Sequence, residues 1–228
     1  MIDTLLFDVD ETLLDFPACE RNALCNALRK NGFPFQEDMY AWYHAFNLSL
    51  WKRYEKGEID RNTVLYSRFD GLFARYGISG NAVLFEEDYV DALANEHVLI
   101  DGALEMLRTL LGSYRMYIVT NGVARSQRKR LRESGIDQYM DGVFISEDLG
   151  SQKPQREFFD ACFRKIGNPD RRTVMIIGDS LTSDIRGGNN AGILTCWYNP
   201  YELPKTESVF INYEIKTLNE LTELLSAQ

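Results

Sequence analysis

The chain contains five short, nearly continuous apolar runs, a pattern typical of strands that are buried on both faces of a sheet. Helical patterns separate the later runs, at 103–111, 123–134, 155–166 and 183–191, and a last helix is predicted at 217–225. Strands that alternate with helices predict right-handed βαβ crossovers, and therefore an α/β fold with a doubly wound parallel sheet. The predicted strands are IDTLLFD (2–8), MYIVT (116–120), VFIS (143–146), TVMIIG (173–178) and ILTCW (193–197).

A long helical segment interrupts this alternation after the first predicted strand. Residues 17–96 contain no strand-like run and are dense in aromatic residues, which at helical spacing usually form the core of a bundle. We therefore predict an all-helical insertion that divides the sheet domain into residues 1–16 and 97–228. An insertion beside the end of a strand is well placed to act as a lid. The predicted helical stretches cover residues 17–30, 36–56, 60–76 and 81–95.

Composition restricts the class of protein further. The net charge of −9 argues against a nucleic-acid surface, which requires basic patches. No apolar run reaches the roughly 20 residues that a membrane span requires. The four cysteines are scattered without a C-x-x-C pair, which is typical of reduced thiols inside the cell. We expect a soluble cytoplasmic protein, a monomer or small homo-oligomer, with a small molecule rather than nucleic acid or membrane as its partner.

Polar side chains follow the predicted strands where each strand ends. Ligands of open parallel sheets bind at the carboxyl ends of the strands, so we expect these side chains to converge at one edge. Unpaired charges are costly to bury, and carboxylates gathered at one point therefore indicate a bound cation. The residues are Asp8 and Asp10 after the first strand, Thr120 and Asn121 at the end of the second, Lys153 after the third, and Asp179 and Asp184 after the fourth.

These residue types favour phosphoryl chemistry. Asp8, Asp10 and Asp179 offer hard oxygen ligands that suit Mg²⁺, and Mn²⁺ or Co²⁺ would fit the same oxygen cage. One carboxylate of the D-x-D pair can attack phosphorus and form an aspartyl phosphate, while the other transfers protons. Thr120 can donate a hydrogen bond to a phosphoryl oxygen, and Lys153 can offset the charge of the transferred group.

The same residues lie in motifs of a known family. The chain resembles the haloacid dehalogenase superfamily along its whole length. The resemblance implies a Rossmann-like hydrolase core, residues 1–16 and 97–228, and a helical cap of the C1 type, residues 17–96. The matching motifs are D-V-D-E-T (8–12), I-V-T-N-G (118–122), Q-K-P (152–154) and G-D-S-L-T-S-D (178–184).

The resemblance also implies a role for each residue at the strand ends. In that family the general acid/base ligates the metal through its backbone carbonyl rather than its side chain. The implied roles are nucleophile and metal ligand for Asp8, general acid/base and backbone metal ligand for Asp10, phosphate binding for Thr120, Asn121 and Lys153, metal binding for Asp179, and support of the metal site, directly or from behind it, for Asp184.

Residues 178–200 resemble more narrowly the branch of pyrimidine 5′-nucleotidases, house-cleaning enzymes that remove phosphate from non-standard nucleoside monophosphates. The resemblance therefore implies a Mg²⁺-dependent nucleoside monophosphatase. The predicted cap carries no motif that matches residue by residue. A sugar-phosphate or phosphoglycolate phosphatase with the same core therefore stays open.

Other classes fit the sequence less well. A phosphorylatable signalling module has a similar set of acids, Thr and Lys, but such modules are about half this length and lack a helical insertion. A dehalogenase needs no metal and usually lacks an acid at the position of Asp10. A phosphonatase would require a cap lysine, and Lys30, Lys52 and Lys56 have no distinctive context. The basic run Arg125–Arg132 is predicted to be a solvated helix face.

Overall fold

The computed structural model describes residues 1–227, and these contain one six-stranded sheet. Its strands are β1 (Thr4–Phe7), β2 (Arg115–Thr120), β3 (Gly142–Ile145), β4 (Val174–Gly178), β5 (Leu194–Tyr198) and β6 (Tyr213–Ile215). The strand order is β3-β2-β1-β4-β5-β6, and every neighbouring pair is parallel. Leu6 pairs with Tyr117 on one side and with Ile176 on the other, so β1 is central. The predicted α/β fold with a parallel sheet is confirmed.

Helices cover both faces of the sheet because alternate side chains of each strand point to opposite faces. Leu5 and Phe7 belong to a core that includes Met106 and Leu221, whereas Leu6 belongs to a second core with Phe158. Both cores are closed to solvent, which explains why the strands are continuous apolar runs. The α-helices that follow residue 100 are α5 (Ala103–Leu110), α6 (Ala124–Ser134), α7 (Ser146–Leu149), α8 (Arg156–Lys165), α9 (Arg186–Ala191) and α10 (Leu218–Ser226).

Four helices occupy the segment between β1 and α5, and each ends within two residues of its predicted bounds. They share a core of their own in which aromatic rings pack edge to face, for example Phe69 against Phe85 with ring centroids 4.8 Å apart. We propose that they form the cap; its exact boundaries stay a prediction. These helices are α1 (Phe16–Lys30), α2 (Glu37–Glu55), α3 (Arg61–Tyr76) and α4 (Ala82–Leu93).

The two connections between these helices and the sheet domain run side by side. Asp15 N donates to Val98 O at 2.9 Å, and Ile100 N donates to Leu13 O at 3.0 Å. The Asp15 side chain then caps α1 by accepting from Ala18 N at 3.0 Å, which fixes where the first helix begins. The four helices are therefore attached next to the carboxyl end of β1. No helix in residues 1–227 combines the length and apolar character of a membrane span.

Candidate active site

Asp8 lies directly after β1, and the sheet itself fixes its position. Its backbone N–H donates to Ile177 O at 2.9 Å, which continues the ladder between β1 and β4. The residue is only 8% exposed, and its Oδ1 accepts a hydrogen bond from Lys153 Nζ at 2.5 Å. Burial raises the pKa of Asp8 to about 8, although the charge of Lys153 opposes this shift. A cation near this carboxylate would favour its ionised form.

Lys153 is buried and has acceptors on three sides. Nζ donates to Asp8 Oδ1, to Val119 O at 2.7 Å and to Asp184 Oδ1 at 2.7 Å. Burial lowers the pKa of Lys153, but the charges of Asp184 and Asp8 outweigh it and raise the pKa above its ordinary value. Asn121 holds the lysine backbone through two bonds, Lys153 N to Asn121 Oδ1 at 3.0 Å and Asn121 Nδ2 to Lys153 O at 2.9 Å. The predicted contact of Asn121 with phosphate stays a prediction.

Three carboxylates form a compact cluster at the ends of β1 and β4. Asp8, Asp179 and Asp184 each offer an oxygen, and these oxygens lie within 4.8 Å of one another. Burial raises the pKa of Asp179 well above its usual range, and the neighbouring carboxylates Glu11, Asp184 and Asp8 raise it further. Hard oxygen ligands that repel one another in a buried site fit a divalent cation such as Mg²⁺.

Asp184 enters this cluster from a turn of π-helix, Leu181–Ile185. Its Oδ2 accepts from Ser180 N at 3.1 Å, so both carboxylate oxygens have donors. This arrangement fits support of the metal site from behind. Gly178 makes room for it, since a Cβ at that position would lie 2.3 Å from the Asp184 carboxyl.

Asp10 is held on the other side of the site, by α6. Its Oδ1 accepts from Arg130 Nη1 at 2.6 Å, and its Oδ2 accepts from Gln127 Nε2 at 2.6 Å. Gln127 Nε2 also donates to Thr120 Oγ1 at 3.0 Å. The structure therefore places Asp10 and Thr120 together through Gln127, while Asp8 is paired with Lys153. All the predicted site residues line one cavity of about 620 Å³.

Sequence reasoning missed four side chains of this cavity and its rim: Glu55, Arg61, Gln127 and Arg130. Glu55, near the end of α2, accepts a hydrogen bond from Thr182 Oγ1, and burial raises its pKa to about 7. Arg61 donates to Gly122 O at 3.1 Å from the first position of α3. Neither residue carries a local sequence signal, because tertiary packing alone brings these helices to the strand ends.

The prediction that the basic run is a solvated helix face is wrong for Arg130. That residue is 1% exposed because it lies on the buried face of α6 with Gln127 and Leu131. The sequence could have indicated this, because residues three positions apart, such as Gln127 and Arg130, lie on the same face of a helix. Arg128, in contrast, is exposed and pairs with Asp148 at 2.6 Å, as a solvated face requires.

Comparison with known proteins identifies the class to which this site belongs. The family model for haloacid dehalogenase-like hydrolases matches residues 2–192. HAD-hydrolase YfnB of Bacillus subtilis is 42% identical over 225 residues, which cover 99% of this chain and 96% of that protein. The crystal structure of YfnB bound to magnesium, which reveals interdomain movement, matches with a TM-score of 0.94 over 98% of both chains. The chain belongs to the haloacid dehalogenase-like hydrolase family and is an enzyme.

Two further relatives extend the comparison. Pyrimidine 5′-nucleotidase PynA of Streptococcus pneumoniae is 37% identical over 222 residues, covering 97% of this chain and 94% of that protein. Pyrimidine 5′-nucleotidase YjjG of Escherichia coli is 32% identical over 223 residues, covering 98% of this chain and 97% of that protein. The resemblance to the family predicted from the four motifs is confirmed.

Proposed function

We propose that this hydrolase is a Mg²⁺-dependent phosphomonoesterase that acts through an aspartyl phosphate on Asp8, with pyrimidine nucleoside 5′-monophosphates as its substrates. The observation that carries this proposal is the contact of Lys153 Nζ with Asp8 at 2.5 Å beside the carboxylate cluster, while side chains of α6 hold Asp10 separately. Two carboxylates in different environments suit two different roles.

The residues present fit a divalent cation. Asp8 and Asp179 would hold it through carboxylate oxygens and Asp10 through its backbone carbonyl, with Asp184 behind them. When bound, Mg²⁺ supplies positive charge that offsets the charge of the substrate phosphate. The same oxygen ligands would accept Mn²⁺ or Co²⁺.

In the first step, Lys153 and Thr120 bind phosphoryl oxygens and orient the phosphorus toward Asp8. An Asp8 carboxylate oxygen forms a bond to phosphorus, and the bond from phosphorus to the ester oxygen breaks. Asp10 gives a proton to the leaving oxygen as that bond breaks. The products are the free alcohol and an aspartyl phosphate.

In the second step, ionised Asp10 takes a proton from water, and the water oxygen bonds to the phosphorus of the aspartyl phosphate. The bond between phosphorus and the Asp8 oxygen breaks, which restores the Asp8 carboxylate and the proton on Asp10. The net reaction consumes one ester and one water and yields one alcohol and inorganic phosphate.

Two observations support a nucleoside as the leaving group. PynA and YjjG, which are similar along nearly the whole chain, are pyrimidine 5′-nucleotidases. The helices α1 and α2 add Phe16, His44 and Trp51 to the lining of the cavity, and its volume of about 620 Å³ is typical of small-molecule sites. Aromatic rings in the lining of this cavity suit a flat base.

The experiment that tests the proposal measures phosphate release from pyrimidine and purine nucleoside monophosphates, sugar phosphates and phosphoglycolate, with Mg²⁺ and with chelator. We expect metal-dependent turnover that is strongest on pyrimidine monophosphates, and a loss of at least about 10³-fold in Asp8→Asn, because the nucleophile is removed. Normal turnover by a folded Asp8→Asn protein would contradict the mechanism.

Other outcomes of the same experiment separate the alternatives. Strongest turnover on a sugar phosphate or phosphoglycolate would keep the mechanism and overturn the nucleotide substrate. A stable phosphoryl label on Asp8 without turnover on any ester would indicate a signalling module instead of an enzyme.

A further inference from the structure

We propose that Arg130 and Gln127 are positioning residues that aim the Asp10 carboxylate at the leaving oxygen of the substrate. The inference rests on the proposed function, in which Asp10 is the proton donor and acceptor. The two side chains lie three residues apart on the buried face of α6, and neither belongs to the strand-end motifs.

The geometry leaves Asp10 little freedom of orientation. Each of its carboxylate oxygens has its own donor at 2.6 Å, Arg130 Nη1 on one and Gln127 Nε2 on the other. Arg130 is itself fixed, since its Nε donates to Glu96 O at 2.9 Å and its Nη1 contacts Gln127 Oε1 at 3.2 Å. The Asp10 side chain is still 26% exposed toward the cavity, so an approaching leaving group can reach it.

A purely structural role accounts poorly for Arg130. Its Nη2 is buried without an oxygen or nitrogen acceptor among residues 1–227, and the Cys19 thiol beside the guanidinium is only a weak acceptor, which lowers stability. Buried ion pairs also contribute little net stability, because desolvation offsets the attraction of the charges. Because the guanidinium of Arg130 lowers the stability of the fold at this position, orientation of the Asp10 carboxylate explains its presence better than a structural role does.

Gln127 connects this orientation to the phosphate end of the site. Its Nε2 donates to Asp10 Oδ2 and also to Thr120 Oγ1, at 3.0 Å. Gly122 makes this contact possible, since a Cβ there would lie 2.3 Å from Gln127 Nε2. One amide therefore sets the distance between the proton-transferring carboxylate and the hydroxyl proposed to bind phosphate.

The test compares an alkyl ester, uridine 5′-monophosphate, with p-nitrophenyl phosphate, whose leaving group needs no proton. In Arg130→Met and Gln127→Met, we expect kcat on the alkyl ester to fall about 10²-fold, the size of a general acid–base contribution. On the aryl ester, we expect a burst of one nitrophenolate per enzyme followed by slow turnover, because only hydrolysis of the aspartyl phosphate then needs Asp10. Arg130→Lys should restore part of the loss.

The matched control is Arg128→Met, on the exposed face of the same helix, which should behave like the wild type. Thermal unfolding and the rise in Tm on addition of Mg²⁺ identify the variants that retain the folded site. If Arg130→Met does not fold, the test relies on Gln127→Met, whose side chain is nearly isosteric with the original. Equal losses on both esters without a burst, or no loss on either, would overturn the inference.

A double-mutant cycle distinguishes this inference from the function on which it rests. In an Asp10→Asn background, Arg130→Met should change kcat less than about 2-fold, because the carboxylate that it orients is gone. A full loss in that background would mean that Arg130 acts elsewhere. Absence of phosphatase turnover in the wild type would overturn the proposed function itself.

Discussion

At the scale of single residues, His44 is a cavity side chain whose charge depends on one buried neighbour, Glu20. Its Nδ1 lies 2.6 Å from Glu20 Oε2, and Asn47 Nδ2 donates to the other oxygen of Glu20 at 2.7 Å. Glu20 is fully buried in the helical core, so its carboxylate requires such partners. The hydrogen bond that His44 donates to Glu20 raises the pKa of His44, burial opposes this shift, and the charges of Glu20 and Glu11 add to it.

We therefore predict that His44 stabilises the fold in a pH-dependent way. A raised pKa in the folded state gives a stability that is fully present below the unfolded pKa of about 6.5 and is lost as pH rises through the folded pKa. The Tm of the wild type should exceed that of His44→Gln by about 2 °C near about pH 5.5, since a partly exposed pair contributes about 1 kcal/mol or less. Near about pH 9 the difference should shrink.

Differential scanning calorimetry of both proteins across this pH range checks the prediction. His97→Gln is the matched control, because His97 is also partly exposed but lies 3.9 Å from its nearest carboxylate, Glu133. A difference in Tm between wild type and His44→Gln that stays constant or grows with pH would contradict the assignment.

At the scale of elements, the arrangement of carboxylates at the end of β4 requires a glycine at position 178. Gly178 is the last residue of that strand, and the Asp184 carboxyl occupies the space where its Cβ would be. We predict that Gly178→Ala displaces Asp184 from Lys153 and Ser180 and weakens Mg²⁺ binding about 10-fold, as expected for carboxylates that support metal ligands. Isothermal titration with Mg²⁺ measures the affinity.

Overpacking alone also destabilises a protein, by about 1–3 kcal/mol, and needs its own control. Gly71→Ala supplies one, because its Cβ would lie 2.5 Å from the Phe46 ring, among the helices between β1 and α5. It should lower Tm and leave Mg²⁺ affinity unchanged. The same Mg²⁺ affinity in Gly178→Ala and wild type would mean that Asp184 does not support the metal site.

Helices and strands could be predicted from the sequence where a local pattern of apolar residues determines them. Five strands came from apolar runs, whereas β6 was missed because Tyr213–Ile215 is only three residues long and includes the exposed Glu214. Asp8, Lys153 and Asp179 could be predicted to meet because the ends of parallel strands share an edge. The contacts of Arg61 could not be predicted, since its acceptors lie at least 60 residues away and include two backbone carbonyls, and packing between helices and sheet decides these contacts.

At the scale of the whole molecule, the helices between β1 and α5 contact the strand-end loops through few polar groups. Arg61 reaches the loop after β2, where its guanidinium donates to Asn121 O at 3.2 Å and Gly122 O at 3.1 Å. The same guanidinium donates to the short helix α7 directly after β3, at Ser146 Oγ (3.3 Å) and Glu147 Oε2 (3.1 Å). One side chain thus holds the proposed cap against two loops of the site.

We predict that Arg61→Met loosens this closure and weakens substrate binding more than chemistry. Hydrogen bonds from a charged donor contribute about 1.5–3 kcal/mol each, but hydrogen bonds to water replace part of this free energy when the helices move away from the loops. KM should rise about 10-fold, equivalent to about 1.4 kcal/mol, while kcat changes less. Arg53→Met is the control, because Arg53 pairs with Glu58 at 3.4 Å within the helical segment. Amide hydrogen exchange in residues 118–123 should accelerate only in Arg61→Met; unchanged exchange together with unchanged KM would show that Arg61 does not hold the helices closed.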